Sequence, residues 1–149
     1  MKDNVILEVK NVEKFFYGNK KLFQKDRPVV KAVNDVSFTI NEGETFGIVG
    51  ESGCGKSTLG RTVIRLLNPT SGQVLYKGTD LATLSGEEMR KLRQEIQIIF
   101  QDPSASLDPR MTVGEIIGEA LDIHKLFPNK QDRTDRIKEL LGRVGLNTE

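Results

Sequence analysis

The sequence predicts an α/β fold with a small antiparallel piece attached. Two observations support this prediction. Short apolar segments alternate along the chain with segments that carry apolar residues at helical spacing, and a glycine-rich turn joins one apolar segment directly to a predicted helix. With 149 residues, of which 37% are hydrophobic and 29% charged, we expect one domain over residues 1–149.

The N-terminal third predicts two strands that each bury one face. Residues 5–9 (VILEV) and 33–40 (VNDVSFTI) alternate between apolar and polar side chains. The lysine-rich stretch between them, 18–31 (GNKKLFQKDRPVVK), predicts a surface loop. Further along, the turn at Lys77-Gly78-Thr79 predicts a small antiparallel ribbon over residues 73–81.

Two other segments predict strands of a different kind. Residues 45–49 (TFGIV) and 96–100 (IQIIF) are short and largely apolar, which is typical of parallel strands that are covered on both faces. Such strands need covered faces and paired neighbours.

Four predicted helices complete the chain. The first covers 56–67, where apolar residues fall on one helical face. Capping boxes at Ser85–Glu88 and Thr112–Glu115 predict where the second and third begin. An apolar stripe over 137–144, with Gly145 as its stop, marks the last.

Composition excludes several function classes. The 22 Lys and Arg residues against 21 Asp and Glu residues give a net charge of +1, which argues against a nucleic-acid partner. The single cysteine, Cys54, can form no internal disulfide and suits a reducing compartment. The chain shows neither the apolar core of a signal peptide nor a membrane-spanning run, so we expect a soluble, cytoplasmic protein.

The strongest motif is the glycine-rich loop, residues 50–58 (GESGCGKST), which matches the pattern G-x-x-x-x-G-K-[ST]. Glycines let backbone N–H groups wrap around phosphate oxygens, and the helix that follows favours an anion at its N-terminus. Lys56 would contact the β- and γ-phosphates, and Ser57 would offer its hydroxyl to Mg²⁺. The predicted nucleotide-binding residues of this loop are Gly50, Glu51, Ser52, Gly53, Cys54, Gly55, Lys56, Ser57 and Thr58. A redox or catalytic role for Cys54 is the less favoured alternative to a small residue that fits the loop.

Several stretches together resemble the ATP-binding subunits of ABC transporters. They are GESGCGKST, VKAVNDVSFTINEGETFGIVG, SGQVLYKGTDL and IIFQDPSASLDPRMTVGEII. LEVKNVEKFF, the basic loop before VVKAV, and FQDPSASLDPRMTV are most similar to the oligopeptide/dipeptide importer subgroup. The resemblance covers essentially the whole chain and implies the N-terminal portion of a nucleotide-binding domain.

The implied fold is an incomplete P-loop NTPase of ABC type, with part of the parallel core sheet, an antiparallel β piece and the start of a helical subdomain. Residues 1–101 would form the β piece and P-loop core, and 102–149 the glutamine loop and the beginning of the helical subdomain. The implied cofactors are ATP and Mg²⁺.

The resemblance also assigns roles to single residues. Phe16 matches the aromatic that stacks on adenine, although Phe15 or Tyr17 would take that place if the alignment shifts by one, and all three could simply pack a strand end. Gln101 matches the glutamine that reaches Mg²⁺ and the attacking water. The catalytic candidates are therefore Lys56 and Gln101. The candidate metal ligands are Ser57 and Gln101. Without the resemblance, Gln101 reads as an ordinary strand-end polar residue. The chain's only histidine, His124, is expected on a solvated helix face with no catalytic part.

For the parent protein, the resemblance implies an ATPase that couples ATP hydrolysis to peptide uptake. Its partners would be transmembrane permease subunits, a second ATP-binding subunit that is identical or homologous, and indirectly a peptide-binding protein. When assembled, it would lie at the inner face of the cell membrane.

The 149 residues depart from the family pattern in one respect. They contain no LSGGQ-type signature, no Walker B carboxylate with its following glutamate and no switch histidine. We therefore expect this chain to bind ATP without efficient hydrolysis, since water activation needs those groups. Another P-loop NTPase or kinase, and a truncated nucleotide-binding module, are the alternatives. The resemblance also implies that a later strand of the family, absent from these residues, supplies part of the pairing for the predicted parallel strands 45–49 and 96–100. We therefore expect the isolated chain to be marginally stable or prone to association.

Overall fold

The computed structural model describes residues 4–19, 27–102 and 106–147. The elements in chain order are β1 (Val5–Tyr17), β2 (Val29–Asn41), α1 (Lys56–Val63), β3 (Ser71–Tyr76), β4 (Thr79–Asp80), a 3₁₀ turn (Leu81–Thr83), α2 (Gly86–Leu92), α3 (Val113–Ile123) and α4 (Lys130–Arg143). The chain divides into two compact units, Met1–Met89 and Arg90–Glu149. No described helix is long and apolar enough to cross a membrane.

The first unit is built on a four-stranded antiparallel sheet in the order β2-β1-β3-β4. β1 and β2 pair from Val5↔Asn41 to Tyr17↔Val29, so both strands extend well past the predicted 5–9 and 33–40. Several register shifts interrupt this ladder, and they break the alternation that the sequence-based prediction relied on. The predicted loop over 18–31 is therefore too long at its C-terminal end, and its residues 20–26 lie outside the described ranges. The sheet and α1 enclose the core of this unit, formed by Val9, Val12, Val33, Leu59, Val63, Val74 and Leu81.

The predicted antiparallel ribbon is confirmed as β3 and β4. They pair at Leu75↔Asp80 and Tyr76↔Thr79, which leaves a two-residue turn. Lys77 and Gly78 in this turn both have positive φ, 48° and 79°. Two positive φ values are typical of the type I′ turn, whose twist matches that of the strands it joins.

The two predicted parallel strands are not formed. Residues 45–49 and 96–100 have no regular secondary structure, and the only sheet among the described residues is antiparallel. Val49 is 93% exposed and Ile99 is 96% exposed. An apolar strand is stable only when neighbours supply its hydrogen bonds and cover its faces, and no described segment does so here. The expected marginal stability of the isolated chain stays a prediction.

Both predicted capping boxes are confirmed. The Ser85 N–H donates to Glu88 Oε2 at 2.8 Å, and the Glu88 N–H donates back to Ser85 Oγ at 3.3 Å, just before α2. At α3, the Thr112 N–H donates to Glu115 Oε2 at 2.7 Å, and the Glu115 N–H returns to Thr112 Oγ1 at 3.3 Å. The backbone hydrogen bond from Thr112 holds the pKa of Glu115 below its ordinary value.

Three of the helices end in the same hydrogen-bonded motif. After α4, Gly145 has φ 74°, and the Leu146 N–H donates to the Leu141 carbonyl at 3.0 Å, which confirms Gly145 as the predicted stop. After α1, Arg65 takes the same position with φ 54°, so α1 ends at Val63 and not at the predicted residue 67. After α3, Lys125 takes it with φ 52°.

In the second unit, Arg133 of α4 forms an ion pair with Asp122 of α3, which we call the α3–α4 clamp. Its Nε and Nη2 donate to the two carboxylate oxygens of Asp122 at 2.6 and 2.7 Å. This hydrogen bonding lowers the pKa of Asp122 and raises that of Arg133. His124 caps the C-terminus of α3 and is half-buried, with Nδ1 at 3.2 Å from Gln94 Nε2, so it is less solvated than predicted.

Candidate functional site

The glycine-rich loop precedes α1 as the sequence predicts. Gly55 is the N-cap residue of α1 and has φ 101°, and Gly53 has φ 81°. Residues with a β-carbon are strained at such angles, so glycine is required at both positions. The loop lies against the backbone of β2 at Ala32. Its glycines therefore set both the path of the chain and its approach to the sheet.

The side chain of Lys56 folds back over this loop. Its Nζ donates to the carbonyl oxygens of Gly50 at 2.7 Å and Glu51 at 2.6 Å, and it lies 3.6 Å from Cys54 Sγ. Two carbonyl contacts fix the ammonium group at the centre of the loop. A cation in this position can be reached by an anion that enters the loop.

Backbone donors surround the same place. Within the described ranges, the N–H groups of Gly53, Gly55, Lys56 and Ser57 donate to no protein acceptor, and that of Cys54 makes only a long bond of 3.4 Å to Glu51. The helix has no side-chain N-cap and no acidic residue in its first turn that would compete for these donors. Unpaired N–H groups and the helix dipole together favour a bound anion. The geometry is that of a phosphate cradle.

A cavity of about 350 Å³ adjoins the loop. It is lined by residues of β2, of the following segment, of the loop and of α1: Lys31, Ala32, Val33, Asn34, Val36, Ile48, Val49, Cys54, Gly55, Lys56 and Leu59. Its walls are largely apolar, and among the described residues that line it the charged ones are the two lysines. A site of this size with an apolar wall and convergent cations suits a small organic anion.

Three aromatic residues are candidates for the predicted adenine contact, and they differ in exposure and in their neighbours. Phe16 is 41% exposed, pairs with Val30, and has Lys14 Nζ 5.2 Å from its ring centroid. Phe15 is half-buried, pairs with Lys31, and has Lys31 Nζ 5.2 Å from its ring centroid. Tyr17 is 57% exposed at the strand end. The adenine contact of Phe16 stays a prediction.

The remaining predicted site residues have simpler surroundings. Ser57 is exposed on the first turn of α1. The carbonyl oxygen of Thr58 accepts a hydrogen bond from Thr62 Oγ1 at 2.7 Å. Cys54 is an exposed free thiol. Gln101 is exposed in the second unit, and its part in metal and water positioning stays a prediction. No cluster of three or more His, Cys, Asp or Glu side chains that could hold a metal occurs among the described residues.

The sequence-based prediction missed Lys31. Its side chain lines the cavity beside Lys56, yet its sequence position in a lysine-rich loop suggested only a solvated surface. What places Lys31 at the cavity is the strand register, which sets it opposite Phe15. That register passes through an irregularity between Lys14 and Phe15, where Lys14↔Val33 is followed by Phe15↔Lys31. One residue of β1 then faces two of β2, which sequence alternation cannot reveal.

Comparisons with known proteins agree on one family. A protein-family profile described as "ABC transporter" matches residues 33–149. The chain is 52% identical over 143 residues to the oligopeptide transport ATP-binding protein AppF of Bacillus subtilis, covering 95% of this chain and 43% of AppF. It is 46% identical to the dipeptide transport ATP-binding protein DppF of Lactococcus lactis, covering 97% of this chain and 45% of DppF. The chain thus spans less than half the length of the curated relatives it matches.

Solved structures lead to the same fold. The dimeric structure of MJ0796, a bacterial ABC transporter cassette, superposes with a TM-score of 0.73 at 29% identity, over 95% of this chain and 58% of that one. A second MJ0796 structure, bound to ADP and Pi, gives a TM-score of 0.73 at 27% identity with the same coverage. These likenesses confirm the predicted incomplete P-loop fold of ABC type, even though the two predicted parallel strands are not formed.

Proposed function

Because the chain belongs to the ABC transporter family, we propose that it binds ATP through Gly50–Thr58, as part of the ATP-binding subunit of a peptide importer. The observation that carries this proposal is the position of Lys56 Nζ, 2.7 and 2.6 Å from the Gly50 and Glu51 carbonyls, beside the free N–H groups of the loop. The peptide-transport names of its relatives support the substrate class.

Each group has a distinct part in the proposed binding. The N–H groups of Gly53, Gly55, Lys56 and Ser57 donate to phosphate oxygens, and the Lys56 ammonium exchanges a carbonyl contact for a phosphate oxygen. The exposed hydroxyl of Ser57 is free to coordinate Mg²⁺, which neutralises charge between the β- and γ-phosphates when bound. Phe16 stacks on adenine.

Turnover is a separate matter from binding. Hydrolysis needs a positioned water as well as a phosphate cradle. Gln101 is the proposed water-orienting residue, because an amide both donates and accepts hydrogen bonds without adding a charge. In the part of the chain that the structure describes, no carboxylate that could act as a base lines the cavity beside the loop. The chain by itself therefore binds ATP and turns it over slowly.

In the whole protein, the proposed activity is ATP hydrolysis coupled to peptide uptake. Its partners are permease subunits in the membrane, a second ATP-binding subunit and, indirectly, a peptide-binding protein, with the chain at the cytoplasmic face. The dimeric state of the MJ0796 cassette supports the second subunit. The family assignment leaves no observation that favours the kinase alternative.

ATP titration of the purified chain tests the binding proposal. Lys56→Ala removes the central cation, so we expect ATP affinity to fall by at least about tenfold, the loss of a charged hydrogen bond. Lys77→Ala serves as a matched control, because Lys77 lies at the β3–β4 turn and lines no part of the loop cavity. Equal ATP affinity in Lys56→Ala and the parent chain would contradict the proposal. Phosphate release measured alongside reports turnover.

A further inference from the structure

The cavity beside the glycine-rich loop contains a second cation whose function has no assignment so far. Lys31 of β2 and Lys56 of α1 line the same space of about 350 Å³, and none of the other described residues that line it is a carboxylate. Within the described ranges, Lys31 has no Asp or Glu oxygen within the 4.0 Å of an ion pair, whereas Lys10, on the neighbouring strand, pairs with Glu8 at 3.0 Å. Two cations that line one cavity favour an anion that reaches both.

Lys31 also contacts an aromatic ring. Its Nζ lies 5.2 Å from the ring centroid of Phe15, directly across the β1–β2 ladder. Stacking on an aromatic ring restricts a side chain that would otherwise sample many rotamers in solvent. Its neighbour Ala32 lies against Gly55, so the strand position that carries Lys31 is tied to the loop.

We propose that Lys31 is a second phosphate-contacting residue of the nucleotide site, acting together with Lys56. This inference rests on the proposed function and deepens it: the ligand is a nucleoside polyphosphate whose phosphate chain reaches beyond the glycine-rich loop to β2.

The chain offers a closely matched control. Lys77 also stacks on an aromatic ring, with Nζ 5.1 Å from the Tyr76 centroid, but it lines a different pocket with Asn4, Ile6 and Glu42. Lys31→Met and Lys77→Met each remove one exposed, ring-stacked charge and keep a long apolar stem. Only the first should change nucleotide binding if the position of the charge is what matters.

The experiment is a titration of the full chain with ATP and with ADP at low and at high salt, by calorimetry. For Lys31→Met we expect about a three- to tenfold loss of ATP affinity at low salt, as for a partly exposed charged contact. The loss should shrink at high salt, because salt screens the missing attraction. Lys31→Arg should keep the affinity, and Lys77→Met should match the parent chain.

Three results would overturn the inference. They are unchanged ATP affinity in Lys31→Met, an equal loss in Lys77→Met, or a loss in Lys31→Met that is the same at both salt concentrations and is not restored by Lys31→Arg. The last pattern would assign Lys31 to packing on Phe15. If the parent chain itself binds no ATP, the proposed function fails first, and the inference fails with it. Far-UV circular dichroism of each variant establishes that it is folded.

Discussion

A β-carbon on Gly55 would lie 2.1 Å from the carbonyl oxygen of Ala32, so the N-terminus of α1 packs directly against the backbone of β2. The neighbouring atom is backbone and cannot move aside as a flexible side chain can. Gly55 also has φ 101°. This one contact couples the glycine-rich loop to the sheet that carries Lys31.

Gly55→Ala should therefore damage both stability and binding. We expect a loss of about 2 kcal/mol or more in the free energy of unfolding, from the strained φ and the collision with Ala32. Gly60→Ala is the control within the same helix, because its added β-carbon meets no atom within 4 Å and alanine favours helix by about 1 kcal/mol. Urea unfolding measures both variants. A Gly55→Ala variant as stable as the parent chain would contradict the packing described.

The α3–α4 clamp gives a second comparison between two glycines. A β-carbon on Gly118 would lie 1.9 Å from Arg133 Nη2, whereas one on Gly114 would meet nothing within 4 Å. Gly114→Ala should stabilise the chain by up to about 1 kcal/mol through helix propensity. In Gly118→Ala, the same gain should be cancelled or reversed, because Arg133 must leave Asp122. NMR titration provides a second readout: the pKa of Asp122 should rise in Gly118→Ala and stay low in Gly114→Ala.

The clamp and the capping box of α3 together predict how stability depends on pH. Hydrogen bonds lower the folded-state pKa values of Asp122 and Glu115 below their ordinary values of 3.8 and 4.5. A group whose pKa is lower in the folded state stabilises the fold above its unfolded pKa, and this contribution is lost as pH falls through the folded pKa. The free energy of unfolding should therefore decrease as pH falls below about 4.5.

Asp122→Asn should flatten this acid dependence, because the variant has no carboxylate to protonate. Glu119→Gln is the control, since Glu119 is an exposed carboxylate of α3 with no ion pair among the described residues. Urea unfolding at a series of pH values from 7 to 3 measures the slope. An unchanged slope in Asp122→Asn would show that the clamp carries none of the acid dependence.

The exposed apolar segments predict association. Ile99 is 96% exposed in a segment that forms no strand, and Val144 is 70% exposed at the end of α4. Ile99→Lys should reduce concentration-dependent oligomers more than Val144→Lys does, because an unpaired apolar segment can pair with another chain. Analytical ultracentrifugation measures this. If the parent chain stays monomeric at all concentrations, the prediction is wrong.

Where local chemistry decides the structure, the sequence was sufficient. The capping boxes at Ser85 and Thr112 and the stop at Gly145 follow from side chains and backbone within a few residues of each other. The turn at Lys77-Gly78 belongs to the same class. The glycine-rich loop followed the same logic, because its glycines, Lys56 and the helix start are contiguous in sequence.

The tertiary structure alone decided what depends on partners far away in the chain. Pairing between distant segments extends β1 and β2 and brings Lys31 opposite Phe15. It also produces the contact of Gly55 with Ala32. Residues 45–49 and 96–100 have no such pairing partner among the described residues, and they form no strand. Their apolar character predicted strands, but a strand forms only when a neighbour supplies its hydrogen bonds. By itself, the sequence predicted the glycine-rich loop with Lys56 at the start of a helix, and long-range pairing decided which side chains surround that loop.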